Sequence, residues 1–319
     1  MAATALPLPP TSLLTRVGTV EGADPVQFYL GEGARLRGVI EEMLPADWQW
    51  DGTRVLDFGC GAARVLRQFA TEAERGVFWG CDIDTESIVW DQANLTPPFH
   101  FFQNAVTPPL SLSARSLDVI IAMSVFTHIG ELWSDWLLEM HRLLDNGGIL
   151  IASFLGAGMW EGLVREEYRE DEIGMSVLHG WEGPDAWVFH SEWWLREHWG
   201  RGFDVVGIKL PPRAPDGSAQ VTHSYIALRK RAAQLSKHEL ERIVPGEARE
   251  VAGLQTSLRL AQRELSELAS RLPSPSRREV VRRRLGAIKR LSRRGGRLSK
   301  ASLGRELRAR VRRPRRARS

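Results

Sequence analysis

Cysteine, tyrosine and long apolar runs are scarce in this chain of 319 residues. It has two cysteines and three tyrosines, and Cys60 and Cys81 match no metal-ligand spacing. We expect both to be free thiols in a reducing compartment, packed as small apolar groups. The longest uncharged apolar stretch, Gly147 to Trp160, is too short to span a bilayer and is interrupted by further glycines. We therefore predict no transmembrane helix.

The first ten residues, MAATALPLPP, have neither a basic leader nor a continuous apolar stretch. A secretory signal peptide needs both, so the sequence predicts a cytoplasmic protein. The length suits one catalytic domain with appendages.

Acidic charge is scarce at one end of the chain. Residues 273–319 carry 19 of the 43 Lys and Arg but two acids, giving +17, whereas residues 1–272 carry −13. Apolar residues recur at helical spacing among these arginines, namely Val281, Leu285, Ile288 and Leu291. The pattern favours a peripheral helix on an anionic membrane at its inner face. A solvated disordered tail and a nucleic-acid contact are the alternatives.

Short apolar runs alternate with helical stretches from Arg54 onward, which is typical of a parallel sheet covered on both faces. The predicted strands are Arg54–Phe58, Val77–Asp82, His100–Gln103, Leu117–Met123, Gly148–Phe154, Phe203–Leu210 and Val221–Arg229. The predicted helices are Pro25–Leu44, Ala62–Thr71, Thr85–Asn94 and Glu131–Leu144. We predict an α/β fold with a Rossmann-like doubly wound sheet, mostly parallel with a final antiparallel strand.

The predicted domain organisation has four parts. Residues 1–50 form a lead-in with a helix, and residues 51–230 form the catalytic domain with a Trp-rich lid inserted at 155–200. A helical segment covers 231–272, and a basic, partly disordered tail covers 273–319. The helical segment has apolar residues at a strict three-four spacing: Val251, Leu254, Leu258, Ala261, Leu265, Leu268 and Leu272. This spacing favours a coiled coil and a homodimer; a single helix docking onto its own domain is the alternative.

The stretch RVLDFGCGAARVL, residues 54–66, is an apolar strand followed by two glycines and a predicted helix. Such a turn leaves backbone N–H groups free for an anionic or carboxylate-bearing ligand. A dinucleotide fold requires G-x-G-x-x-G, and the third position here is Arg64. The bulky cation argues against NAD and makes an NAD oxidoreductase the weakest hypothesis.

The same stretch resembles motif I of the class I S-adenosylmethionine-dependent methyltransferases, through Asp57, Gly59, Gly61 and Ala63. Further segments, WGCDIDTES, FFQNAVTPP and SVFTH followed by NGG, resemble the family in order and distance. The resemblance is to the bacterial SVFTH group, which is met in surface-polysaccharide and natural-product pathways. It implies S-adenosyl-L-methionine as the cofactor, with Asp82 on the ribose hydroxyls. The implied cofactor-binding residues are Asp57, Gly59, Gly61, Ala63, Asp82, Ile83, Asn104, Ala105 and Met123.

The segment after the fourth predicted strand limits which chemical classes of methyl acceptor are possible. Met123, Ser124, Val125 and Phe126 stand where amine methyltransferases have an N/D-P-P-Y/F turn, and no acids for a magnesium-dependent reaction are present. We therefore predict that a hydroxyl or carboxyl oxygen of a small molecule or saccharide is the acceptor, with a general base; an acceptor reactive enough to need only positioning is the alternative. An RNA methyltransferase using the basic tail and a non-catalytic scaffold are the alternatives.

Histidine is the commonest base for removing a hydroxyl proton near neutral pH. His128, just beyond the fourth strand, is the first candidate, and packing or capping the next helix is its alternative role. His190 is the second candidate, with a structural role as the alternative. We expect His223 to be structural.

Overall fold

A seven-stranded sheet lies at the centre of the chain. The computed structural model describes residues 6–17, 22–179, 186–212, 220–244 and 246–271. The strands are β1 (Arg54–Phe58), β2 (Val77–Asp82), β3 (His100–Gln103), β4 (Leu117–Ala122), β5 (Leu144–Phe154), β6 (Met175–His179), β7 (Ala186–His190), β8 (Phe203–Lys209) and β9 (Ser224–Lys230). The large sheet has the order β3-β2-β1-β4-β5-β9-β8, and β9 is antiparallel to both of its neighbours. This confirms the predicted sheet, mostly parallel with one antiparallel strand near its end.

The helices cover both faces of that sheet. They are α1 (Thr11–Leu14), α2 (Pro25–Met43), α3 (Ala70–Ala73), α4 (Thr85–Leu95), α5 (Trp133–Leu143), α6 (Ala157–Leu163), α7 (Glu192–His198), α8 (Lys237–Glu241) and α9 (Ala248–Arg271). The helix predicted to begin at Ala62 is wrong: residues 61–65 are a turn, followed by a 3₁₀ turn at Leu66–Phe69 and then α3. The reason is local, because Ala63 has a left-handed φ of 55°, which a right-handed helix cannot include.

Successive residues along the central strands point to opposite faces of the sheet, and both faces are apolar. Leu56 packs in the cluster that contains Trp136 of α5, whereas its neighbour Val55 packs in the cluster that contains Leu36 of α2. All four side chains are at most 3% exposed. The central strands are therefore apolar at every position, since their side chains pack into the apolar clusters on both faces of the sheet.

The inserted segment between β5 and β8 consists of α6, the β6–β7 hairpin and α7. Its tryptophans mostly pack inside the protein: Trp160, Trp193, Trp194 and Trp199 are buried, whereas Trp181 lies outside the described residues. The hairpin is anchored beside the sheet, because the amide of Val188 donates to the carbonyl of Thr127 at 2.8 Å. The insertion thus has a packed core and adjoins the segment after β4.

Helix α9 packs one face onto the domain and exposes another. Leu260 is fully buried, and Glu250 is buried against His198, with 3.1 Å between Oε1 and Nε2. Three of the residues predicted to form the coiled-coil stripe, Val251, Leu254 and Leu258, are more than half exposed. The helix therefore contacts its own domain through the face of Glu250 and Leu260 and exposes Val251, Leu254 and Leu258, and the coiled coil stays a prediction.

The basic segment 273–319 and its predicted amphipathic helix lie outside the described residues. Within the part of the chain that the structure describes, no helix has the length and apolar character needed to cross a membrane.

Candidate active site

The glycine turn after β1 is tied to the end of β2. The amides of Gly59 and Cys60 donate to the carbonyl of Cys81 at 2.8 and 3.0 Å, and the amide of Gly61 donates to Asp82 Oδ2 at 2.7 Å. Both glycines have positive φ, 78° and 51°, which explains the choice of glycine here. The expectation that these amides are free for a ligand is wrong, because the adjacent parallel strand supplies their acceptors.

Asp57 is buried beneath this turn. Its side chain is 2% exposed, and Oδ2 has no hydrogen-bond partner among the described residues. Burial, reinforced by the charge of Asp82, raises the pKa of Asp57 to about 7. A cationic ligand group placed here would stabilise the carboxylate.

Asp82 has its carboxylate at the carboxyl end of β2. Oδ1 accepts from the amide of Asp84 at 2.8 Å, and Oδ2 accepts from Gly61. Each oxygen keeps a lone pair for a further donor such as a ribose hydroxyl. The carboxylate therefore fixes the turn while it still has acceptor capacity.

The residues predicted to surround an adenine lie at the ends of β2, β3 and β4. Ile83 is 57% exposed, and the amide of Asn104 donates to the carbonyl of Asp82 at 3.1 Å. Asn104 Nδ2 donates to the carbonyl of Ala105 at 2.8 Å, whereas Oδ1 is buried with no partner in the described ranges. Met123 is buried at the end of β4. The exposed side chain of Ile83 suits the apolar face of an adenine ring. The Asn104 amide oxygen suits a hydrogen-bond donor on the edge of that ring.

Asp91 is a buried acid that the sequence motifs do not include. It lies on α4, is fully buried, and neither carboxyl oxygen has a partner among the described residues. Burial, with the charges of Asp57 and Asp82, raises its pKa to about 9, so the group is a neutral acid at pH 7. Its i,i+4 spacing to the buried Ser87 and Leu95 could have indicated an acid on the inner face of α4. In the described part of the chain, no group of three or more His, Cys, Asp or Glu is placed to hold a metal ion.

The segment after β4 lies against the glycine turn. A Cβ at Gly59 would overlap the side chain of Val125, so this side chain packs directly against the turn. Ser124 has a left-handed φ of 60°, and its amide donates to Ser153 Oγ at 2.7 Å. Such strained positions cluster at functional sites.

His128 ends this segment, where its amide donates to the carbonyl of Val125 at 2.9 Å. Its Nδ1 is 2.9 Å from the carbonyl oxygen of Ala186 on β7, and its ring lies 5.7 Å from that of Trp187. A carbonyl oxygen can only accept, so Nδ1 carries a proton and donates to it. In the neutral ring, Nε2 is then the unprotonated nitrogen, which is the tautomer that a general base needs.

His190 occupies a different position from His128. It is fully buried, with its ring 5.3 Å from that of Trp194 and 5.7 Å from that of Trp199. Neither ring nitrogen has a partner within the described ranges, and burial lowers its pKa to about 3. The ring is neutral at pH 7 and enclosed by aromatic side chains.

His223, just before β9, shares an electrostatic environment with His128. Burial is the main cause that lowers its pKa to about 4, and the charges of His128, Arg35 and Arg64 add to the effect. The structure thus brings the predicted cofactor residues together at the carboxyl ends of β1 to β4. It places His128 and His223 beside β4 and β9.

Residues 56–150 match the model of the methyltransferase domain family. A comparison with curated proteins gave no match. The match covers β1 to β5 with the glycine turn, Asp82 and His128. It supports a methyltransferase enzyme with S-adenosyl-L-methionine as its cofactor.

Solved structures also resemble this chain at low identity. A putative S-adenosylmethionine-dependent methyltransferase from Listeria monocytogenes has 15% identity and a TM-score of 0.49, over 63% of this chain and 98% of that one. The magnesium protoporphyrin IX methyltransferase of Synechocystis with bound SAH has 18% identity and a TM-score of 0.47, over 69% and 94%. Likenesses of this degree do not define a substrate.

Proposed function

We propose that this chain is an S-adenosyl-L-methionine-dependent methyltransferase that methylates an oxygen of a small molecule or saccharide. The cofactor fits the residues present, because Asp57 Oδ2 and Asn104 Oδ1 are acceptors without partners among the described residues. Asp57 would face the cofactor's ammonium group, Asp82 its ribose, and Ile83 and Asn104 its adenine. When bound, the cofactor supplies an electrophilic methyl group and leaves as S-adenosylhomocysteine.

The proposal that the methyl acceptor is an oxygen rests mainly on the hydrogen bond between His128 Nδ1 and the carbonyl of Ala186. It places the proton of the neutral ring on Nδ1 and leaves the lone pair on Nε2, so Nε2 can take the proton of the acceptor hydroxyl as its oxygen bonds to the methyl carbon. His128 is exposed, so an acceptor can reach the ring. His190 remains the second candidate base, but its burial among tryptophans leaves it without a route to the acceptor unless the insertion opens.

The test is to profile S-adenosylhomocysteine release over a panel of sugars, glycolipids and RNAs. Turnover on sugars or glycolipids that persists after deletion of residues 273–319 supports the proposal. Turnover on RNA alone, lost with that deletion, supports the RNA methyltransferase instead. No binding of S-adenosylhomocysteine by calorimetry supports a non-catalytic scaffold.

Two further assignments belong to this proposal. The exposed stripe of α9 that contains Leu254 and Leu258 favours a homodimer, because an apolar face repeating every three and four residues is the contact surface of a coiled coil. The basic segment 273–319 favours peripheral contact of this cytoplasmic protein with an anionic membrane.

A further inference from the structure

Residues 6–17 precede the part of the chain that matches the methyltransferase family, yet they contact both loops of the proposed cofactor site. These loops are the glycine turn after β1 and the loop after β2. Helix α1 and a 3₁₀ turn at Thr15–Val17 form much of the segment. Leu13 and Leu14 are 2% and 3% exposed, so the segment packs onto the domain. We call residues 6–17 the N-terminal strap.

One end of the strap is held at the glycine turn. Arg67 Nη2 donates to the carbonyls of Leu6 and Pro7 at 2.9 and 3.2 Å, and Arg67 is 8% exposed. Its Nη1 donates to the Tyr29 hydroxyl at 3.3 Å, and that hydroxyl donates to the carbonyl of Ala62 at 2.6 Å. Hydrogen bonds from a charged group are strong, and more so when buried, so this end of the strap is firmly held.

The other end of the strap is held at the loop after β2. Arg16 Nη1 donates to Asp84 Oδ1 and Oδ2 at 3.0 and 2.8 Å, and Arg16 Nη2 donates to Glu86. The amide of Asp84 donates to Asp82 Oδ1 at 2.8 Å, so the same loop orients the carboxylate proposed to bind the ribose. The side chains of Arg16 and Asp84 are 43% and 31% exposed. An ion pair this exposed is weak and screened by salt, so this end opens more readily than the Arg67 end.

We propose that the N-terminal strap is part of the cofactor site and retains the bound cofactor, with Arg16 as the positioning residue that holds Asp82 through Asp84. This inference rests on the proposed methyltransferase function. The strap bridges the two loops between which the cofactor would lie, so they cannot move apart while both of its ends are held. Opening of the Arg16 end removes that constraint and lets the cofactor dissociate.

The test is the dissociation rate of S-adenosylhomocysteine from the full chain, measured by surface plasmon resonance. Arg16→Gln should raise this rate about fivefold, as the loss of an exposed ion pair requires. Arg16→Lys, which keeps the charge, should stay close to the wild-type rate. Added salt should speed dissociation from the wild type and have less effect on Arg16→Gln. Arg75→Gln is the matched control, since it breaks an exposed pair with Asp51 at the other end of the sheet.

Hydrogen exchange separates retention of the cofactor from mere stabilisation of the fold. The amides of Leu13 and Leu14 donate to the carbonyl of Pro10. Bound S-adenosylhomocysteine should slow their exchange about tenfold, because opening of the strap then competes with binding. The amides of Gly52 and Thr53, which are hydrogen-bonded at the amino ends of the strands, should exchange as before.

Equal dissociation rates from the wild type and Arg16→Gln would overturn the inference and leave the methyltransferase proposal standing. The same holds if the exchange of the strap amides ignores the bound ligand. No binding of S-adenosylhomocysteine to the wild type would instead contradict the proposed function, and the inference with it.

Discussion

The two halves of the candidate site differ in charge. The half beside β1 to β3 has the acids Asp57, Asp82 and Asp91; Asp57 and Asp91 are buried, and Asp91 is neutral at pH 7. The half beside β4 and β9 has His128, His223 and Arg35, which donates to Tyr225 on β9. A sulfonium cofactor carries positive charge, so an acidic half suits the cofactor, and we propose that the basic half, which has His128, faces the methyl acceptor.

The contrast between the halves is tested most strongly at His128, the proposed base of the basic half. His128→Ala should lower turnover about 100-fold or more, because the acceptor hydroxyl loses its proton acceptor. The affinity for S-adenosylhomocysteine, measured by calorimetry, should stay unchanged. His100→Ala is the matched control, since His100 is exposed at the amino end of β3. A drop no larger than that of the control would reduce His128 to a packing residue.

The acidic half is tested at Asp82. Asp82→Ala should weaken S-adenosylhomocysteine binding by about 10- to 100-fold, as expected for the loss of charged hydrogen bonds of about 1.5–3 kcal/mol. The variant also releases the amide of Gly61, so both losses act in the same direction. Asp51→Ala, which removes an exposed carboxylate, should bind normally. Unchanged affinity in Asp82→Ala would remove the ribose assignment.

The pH dependence of stability distinguishes a buried neutral acid from an ordinary surface carboxylate. The pKa of Asp91 in the folded state, about 9, lies above its value of about 4 in the unfolded chain. The folded state therefore holds an extra proton between these values, and the free energy of unfolding falls as the pH rises. Asp91→Asn, which cannot ionise, should gain stability relative to wild type by at least about 1 kcal/mol between pH 5 and pH 8.

The measurement is urea unfolding at both pH values. Asp51→Asn serves as control because its carboxylate is exposed and paired with Arg75. A parallel pH response of Asp91→Asn and wild type would show that Asp91 is ionised and would weaken the description of an acidic half held partly neutral.

The smallest expected effect on the site comes from the outer face of α9. Leu258→Lys should shift the protein toward monomer in analytical ultracentrifugation, because a charge enters the apolar stripe. Ser266→Lys, which adds the same charge at an exposed polar position, should leave the association unchanged. Binding of S-adenosylhomocysteine should be unaffected in both. A monomeric wild-type protein would contradict the proposed homodimer.

The sequence alone located the seven strands of the large sheet along the chain and predicted that they are mostly parallel. Apolar runs such as Arg54–Phe58 form β1 with the predicted bounds, because a strand buried on both faces has to be apolar throughout. The apolar stripe on α9 could also be predicted, since the three-four spacing of its residues is a property of a single helix. The motif residues Asp57, Gly59 and Gly61 could be placed at the end of β1 for the same reason.

Only the tertiary structure decided what those residues face. The glycine-turn amides bond to Cys81 and Asp82 because β2 lies beside β1, and Ala63 takes a left-handed conformation that prevents the predicted helix. The tautomer of His128 depends on the carbonyl of Ala186, 58 positions away. The hydrogen bond from Arg35 to the Tyr225 hydroxyl joins α2 to β9 across 190 positions. Local periodicity carries no information about such contacts, because chain folding alone brings distant residues within hydrogen-bonding distance.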